Sequence, residues 1–374
     1  MDYSRGPVDD QRLKPDVCSP GSSINSASGS TSNTDNNCSP KTMSGTSMAT
    51  PTTSGFLALI RQYYTDGFYP SGTATSADAM TPSGALMKAT IVNGAMEMTG
   101  TDYATSSTIT HIPSMDQGWG RTHLDNVLYF DGDSRQLRVW DVRHSEGLST
   151  GEQVEYQIDV QSSSQPLKVH LVWSDPESTT LASVNLVNNL DLEVVSPGST
   201  TYRGNVFNNG QSTTGGTADV LNPIEGFVLN SPATGTWTLR VKGTAVPGTG
   251  TAPYSDRQGY ALVATFATCA TAPSAPTGLT ATNNGSTGID LSWTSSDTSF
   301  LIYRAPGTSP SPEDFTLVGT ASGTTYTDTT VQGGYWYTYR VRATDNCGES
   351  DPSNEASDKR SEERRVGKEC RSRW

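Results

Sequence analysis

The chemistry in this chain is most concentrated in the run Ser44-Gly45-Thr46-Ser47-Met48-Ala49-Thr50-Pro51. A serine hydroxyl at the mouth of an apolar helix is doubly favoured as a nucleophile. The helix N-terminus stabilises developing negative charge, and its free N–H groups can donate to an oxyanion. Gly45 has no side chain to block an approaching substrate backbone. A serine that opens a helix is equally suited to capping that helix's own amides, so residue types alone leave two readings open. A hydroxyl also needs a base beside it. All four histidines, His111, His123, His144 and His170, follow Ser47 in sequence. His170 alternates within LKVHLVW as a sandwich residue would, and the other three read as surface or loop residues.

A second set of reactive atoms consists of hard oxygens near turns: Asp175 in WSDPES, Asn188, Asn189 and Asp191 in VNNLDLEV, and Asp219, Asn222 and Glu225 in ADVLNPIEG. Calcium takes six to eight such ligands, many from loops, so Asp175, Asn189, Asp191, Asn222 and Glu225 are candidate ligands for a structural Ca2+. Ordinary turn chemistry is the competing reading, since Asp and Asn bond to their own backbone in turns. Among the cysteines, Cys18 and Cys38 would close a loop of 20 residues, worth about 3 kcal/mol on loop entropy. Cys269 and Cys347 would bracket a C-terminal module. Such bridges imply an extracytoplasmic, secreted protein, with free thiols as the alternative.

These groups need a frame. Residues 2–37 are turn-rich and read as extended loop. From Ser47 to Tyr64 the pattern is helical, with Ala49, Ser54 and Ala58 small, Phe56, Leu57 and Ile60 apolar, and Pro51 read as lying in the first turn. A second helix is predicted over Ser83 to Met96, capped by Ser83. Two helices this apolar need a sheet to pack on. After about Phe130 the pattern becomes period-two, with QLRVWDV, QVEYQIDV, LKVHLVW, LDLEVV, GFVL, WTLRVKG and YALVATF marking an antiparallel sandwich over residues 131–268. A Pro-rich linker, CATAPSAPTG, leads to a second, smaller sandwich.

The chain has 374 residues, enough for two or three domains. With mean hydropathy −0.48 it has no run resembling a bilayer helix. Its net charge of −13 argues against nucleic acid or anionic lipid as partner. Only 17% of residues are charged, below the usual quarter, which suits a β-rich secreted protein. Met1 is followed by DYSRGPVDD, with neither a basic nor an apolar leader region, which predicts a start internal to a longer gene. Residues 360–374, RSEERRVGKECRSRW, are abruptly basic and resemble translated sequencing adapter.

The string GTSMATP resembles the serine motif of the subtilisin-like serine proteases, and SRGPVDDQRLKPDVCSPG is similar to the segment before it. The resemblance implies that Ser47 is the nucleophile, that its backbone N–H forms half of the oxyanion hole, and that Ser44, Gly45 and Thr46 border the substrate. It also implies that the helix from Met48 is the buried central one. DQGWGRTHLD looks like the close of the catalytic domain. LVWSDPES and LVNNLDLEVVSP look like the jelly-roll appended to larger, calcium-dependent subtilases. Subtilisin itself orders its triad Asp, His, Ser, so the family's acid, base and oxyanion Asn would precede Met1, and the chain alone is expected to be inactive. Residues 273–357 resemble a fibronectin type III domain, carried by Trp293 and by Tyr337, Tyr339 and Val341. Its aromatics read as core, with a polysaccharide platform as the alternative.

The expected architecture is therefore a partial α/β subtilisin-like catalytic domain (1–130), a jelly-roll β-sandwich (131–268), a fibronectin type III-like domain (269–358) and a non-native tail (359–374). The expected function is secreted, monomeric serine endopeptidase acting on protein or peptide substrates, with cell-surface or polysaccharide contact open to the last module. A non-catalytic extracellular binding or adhesive protein is the competing function.

Overall fold

The computed structural model describes residues 4–29, 39–102, 105–247, 256–267, 273–285, 287–345 and 347–361. Its chain forms two compact units, residues 1–73 with 81–270 and residues 74–80 with 271–374. Cys38, Cys269 and most of the basic tail lie outside the described residues.

The first unit begins with a hairpin of β1 (Ile24–Ala27) and β2 (Pro40–Met43), in register Ile24 with Met43, where the sequence predicted loop over part of this stretch. Helix α1 (Thr46–Thr65) follows. It ends at Gly67, whose φ of 72° lets the Phe68 amide reach back to the Tyr63 carbonyl at 3.0 Å. Helix α2 (Gly84–Gly94) is capped as predicted, by Ser83, whose hydroxyl accepts from the Leu86 amide at 3.0 Å. Nine antiparallel strands complete the unit: β3 (Arg135–Val142), β4 (Gln153–Val160), β5 (Leu167–Val172), β6 (Asn189–Val195), β7 (Thr201–Asn208), β8 (Gln211–Thr214), β9 (Ile224–Leu229), β10 (Gly235–Ala245) and β11 (Tyr260–Ala267). They form two sheets, ordered β4-β10-β6-β7-β8 and β3-β11-β5-β9. Every second residue of a strand points to the same face, so Val169, Leu171, Leu192, Val194, Trp237, Leu239 and Leu262 share one core between the sheets.

The β3-β11-β5-β9 sheet is covered on its other face as well. Helix α2 packs against β11, β5 and β3, which is why every residue of β11 is buried and its YALVATFA carries no polar-out alternation. Asn93 fastens the two layers. Its Nδ2 lies 3.3 Å from the Lys168 carbonyl, 3.1 Å from His170 Nδ1 and 3.3 Å from the Val263 carbonyl, and its Oδ1 accepts from Thr265 at 2.9 Å. The sheet that the sequence required beneath these helices is, under α2, a sheet of the sandwich itself. Helix α1 then stacks on α2 through Ile60, Tyr63 and Tyr64, a single face at helical spacing. Tyr64 and Thr90 share a hydroxyl contact of 2.9 Å.

The second unit contains a seven-stranded sandwich. Strands β12 (Thr277–Asn283), β13 (Ile289–Thr294) and β16 (Thr325–Asp328) form one sheet. Strands β15 (Thr316–Ala321), β14 (Phe300–Pro306), β17 (Trp336–Ala343) and β18 (Ala356–Lys359) form the other. Trp293, Phe300, Ile302, Tyr339 and Val341 make its core, with the Trp293 and Phe300 rings edge to face at 5.2 Å. The Tyr337 hydroxyl accepts from the Gln332 amide at 3.1 Å, tying the ring to backbone upstream. Lys359 belongs to the last strand, and the Arg360 carbonyl accepts from the Gly334 amide at 2.9 Å, so the ordered sandwich runs into the predicted tail.

Candidate active site and acidic pocket

Ser47 is the second residue of α1. The N-cap is Gly45, at φ 152° and ψ 171°, a backbone region effectively reserved for glycine, and no side chain caps the helix. That disposes of the capping reading, because the Ser47 hydroxyl lies inside the helix and bonds to none of its first amides. Gly45 donates to the Gly21 carbonyl at 2.8 Å, and the Ser44 hydroxyl accepts from the Ser23 amide at 2.8 Å, so the β1–β2 hairpin aims the helix start. Met48 and Ala49 amides both reach the Gly45 carbonyl, at 3.0 and 3.3 Å. Ser44, Thr46 and Ser47 are exposed and Gly45 is half-buried. Pro51 is the sixth helical residue rather than part of the first turn. Its missing N–H leaves the Ser47 carbonyl without an intrahelical donor.

Only Ile60, Tyr63 and Tyr64 of α1 are buried, while Leu59 is 52% exposed. The expectation of a buried central helix is thus corrected. Its covering layer α2 meets the C-terminal half alone. Beneath the N-terminal half runs a chain of hydroxyls, Ser19 to Thr53 at 2.7 Å and Ser19 to Thr122 at 2.8 Å.

No histidine among the described residues is hydrogen-bonded to Ser47. His111 Nδ1 meets Glu97 at 2.5 Å, His144 Nδ1 accepts from the Gly259 amide at 3.1 Å, and His123 Nδ1 is buried without a partner. His170 is buried in β5 against Asn93 and the edge of Trp119, and burial together with Lys168 holds its pKa down to about 3. It is a neutral structural residue, as its alternation predicted.

Cys18 carries a free thiol. This corrects the expected bridge to Cys38. Cys18 is instead held in a ladder, its amide donating to the Gly120 carbonyl and its carbonyl accepting from Thr122, both at 2.8 Å. Its Sγ lies 3.6 Å from the Gln117 carbonyl, and burial pushes the thiol pKa up. Cys347 is disulfide-bonded, and its expected partner Cys269 lies outside the described residues.

The five predicted metal ligands do not converge. Asp175 is occupied by the Val187 and Asn188 amides at 2.8 Å each. Asn222 accepts from the Leu13 amide at 2.7 Å and donates to Asp219 at 2.7 Å. Both are spent on backbone amides distant in sequence, neither on a cation nor on their own turns. Asp191 and Glu225, by contrast, line one cavity of about 390 Å³ with Glu193, Arg203, Gly204 and Thr217. Glu225 reaches from β9 to the Leu192 amide of β6 at 2.7 Å, and a Cβ on Gly204 would strike its carboxylate. Glu225 Oε1, Asp191 Oδ1 and Asn189 Oδ1 are buried without partners. Burial, reinforced by the nearby charges of Asp191 and Asp219, pushes Glu225 well above the usual carboxylate range. The orphaned Asp191 and Glu225 oxygens of this cavity fit a divalent cation chemically, whereas Asn189 does not line it, and no cluster of three His, Cys, Asp or Glu forms among the described residues. Gly204 and Glu225 lie far apart in sequence from Asp191, so no local motif reveals the cavity.

Residues 3–120 match the subtilase family. That match lies in the N-terminal third of the chain. Residues 274–359 match the fibronectin type III domain. Two serine protease/ABC transporter B family proteins of Dictyostelium discoideum resemble the chain. The first, tagD, is 31% identical, over 65% of this chain and 16% of its own length, and the second, tagB, is 29% identical, over 65% and 15%. The chain spans about a sixth of the length of these curated relatives. A solved Fn3-like protein from Clostridium thermocellum is 33% identical over 23% of this chain and 92% of its own, with a TM-score of 0.21. The subtilase match contains the whole Ser44–Pro51 run, and the fibronectin match contains β12 to β18. No helix among the described residues is long and apolar enough to cross a membrane.

Proposed function

We propose that the subtilase segment is the serine-bearing part of a secreted subtilisin-type endopeptidase, with Ser47 as nucleophile. The observation that carries this reading is the exposed Ser47 hydroxyl at the second position of α1, aimed by Gly45 and free of any capping bond. Its Oγ would attack a peptide carbonyl carbon, the amine would leave with a proton, and water would then release the acyl group from Ser47. The Ser47 N–H and the positive end of α1 would stabilise the oxyanion. Ser44, Gly45 and Thr46 would lie along the substrate. The two sheets of nine strands support a jelly-roll assignment for residues 131–268, and Cys347 being bonded supports an oxidising compartment.

Asp191 and Glu225 would hold a structural Ca2+ in the acidic cavity; bound there, the ion would supply positive charge that neutralises the buried carboxylates. Because none of the described histidines reaches Ser47, the chain by itself should not hydrolyse casein or chromogenic peptides. Hydrolysis that disappears in Ser47→Ala would show that a base is supplied from within this chain.

A second reading, adhesion through the fibronectin module, is favoured by one observation. Tyr335 and Trp336 are 62% and 46% exposed at the start of β17, although Trp293 and Tyr339 are core. Retention of the chain on insoluble polysaccharide, lost in Trp336→Ala, would support it.

A further inference from the structure

The second unit is assembled from two distant stretches of chain, and the short one comes from between α1 and α2. Residues 74–80 contain a single turn, Ser76–Asp78, in which the Asp78 amide donates to the Thr75 carbonyl at 2.8 Å. Asp78 is fully buried as a side chain and pairs with Arg342 of β17, itself 8% exposed. The Ala77 carbonyl accepts from Arg340 at 2.6 Å and from Arg342 at 3.4 Å. Both guanidinium groups are pre-set from within the sandwich. Arg342 donates to the Ser350 carbonyl at 2.8 Å, and Arg340 is held by Glu355 at 2.9 Å and by the Phe315 ring at 3.7 Å. Glu349 and Asp351 add acidic charge around Asp78.

Two alternate positions on one face of a strand, both arginine, both buried and both meeting one carboxylate-and-carbonyl turn, form a built receptor rather than a surface ion pair. We propose that the Arg340–Arg342 face of the fibronectin module is a docking site for a short acidic turn, and that its occupant is this chain's own Ser76-Ala77-Asp78. The interaction requires no protease activity and stands apart from the reading of Ser47.

Hydrogen exchange on the full chain tests it. The Asp78 and Ala79 amides should be protected alongside those of β17. In Asp78→Asn they should exchange at least tenfold faster, because removing one partner leaves a buried guanidinium uncompensated. Replacing Ser76-Ala77-Asp78 by Gly-Ser-Gly should leave β17 protected and open the site to an added fluorescently labelled peptide spanning residues 73–81, seen as a rise in its anisotropy that the unaltered chain does not give. Asp78 and Ala79 amides that exchange as freely as an exposed loop in the unaltered chain, or protection unchanged by Asp78→Asn, would overturn the proposal.

Discussion

Asn93→Ala is the substitution that most sharply probes how α2 is held on the sheet. Asn93 is fully buried at the end of α2 and meets four groups of the β3-β11-β5-β9 sheet. Its two amide hydrogens serve three acceptors and its carbonyl accepts once, so about three full hydrogen bonds are lost, at roughly 1 kcal/mol net each. The Thr265 hydroxyl is then left as a buried unpaired donor, and a small void opens, adding about 1 kcal/mol. The expected loss is therefore about 3 to 4 kcal/mol. Against a usual total of roughly 5 to 15 kcal/mol, that leaves a folded but weakened domain. Urea unfolding followed by tryptophan fluorescence reports it, since Trp119 is buried against His170. A loss below about 1 kcal/mol would refute the reasoning that this side chain joins helix to sheet.

Titration and backbone geometry supply three more tests. Glu225, its pKa raised by burial, contributes stability that is fully present below the ordinary carboxylate pKa and lost as pH rises through its folded value. Calcium should therefore raise the melting temperature at pH 8 and EDTA should lower it, while Glu225→Gln should melt higher without metal and ignore calcium; equal calcium responses in both would count against the cavity as the ion's site. His170 has its folded pKa lowered to about 3, so its contribution is present above about 6.5 and lost as pH falls from there to the folded value. His170→Gln should flatten that acid loss, measured as melting temperature against pH, and an unchanged slope would contradict it. Gly45→Ala should cost about 1 to 3 kcal/mol, because no other residue adopts this backbone readily; a denaturation midpoint matching the unaltered chain would disprove the strain.

Much of the fold was legible because alternation and capping are local. QLRVWDV and WTLRVKG marked β3 and β10, and Ser83 marked the start of α2. The doubly covered sheet was not, since Ala261, Ala264 and Ala267 in β11 read alike whether they face a helix or solvent. The β1–β2 hairpin escaped because Ser and Asn favour turns as readily as a short exposed edge. At the candidate site, composition left Ser47 between cap and nucleophile, and only Gly45's conformation removed the first. Asp175 and Asn222 looked like Asp191 and Glu225 in sequence. What separates them is whether every side-chain oxygen finds a partner, as both of Asp175 do and one each of Asp191 and Glu225 do not, and this depends on contacts as distant as Leu13 with Asn222.

The most direct test of Ser47 is covalent capture with a base supplied from solution. The full chain is incubated with a fluorophosphonate, with and without imidazole, and the modified residue is located by peptide mass. A nucleophile at this helix mouth should be modified in an imidazole-dependent way, at least tenfold faster than any other serine, with no reaction at that position in Ser47→Ala. Modification spread evenly over exposed serines, with Ser47 no faster than its neighbours Ser44 and Ser54, would contradict it.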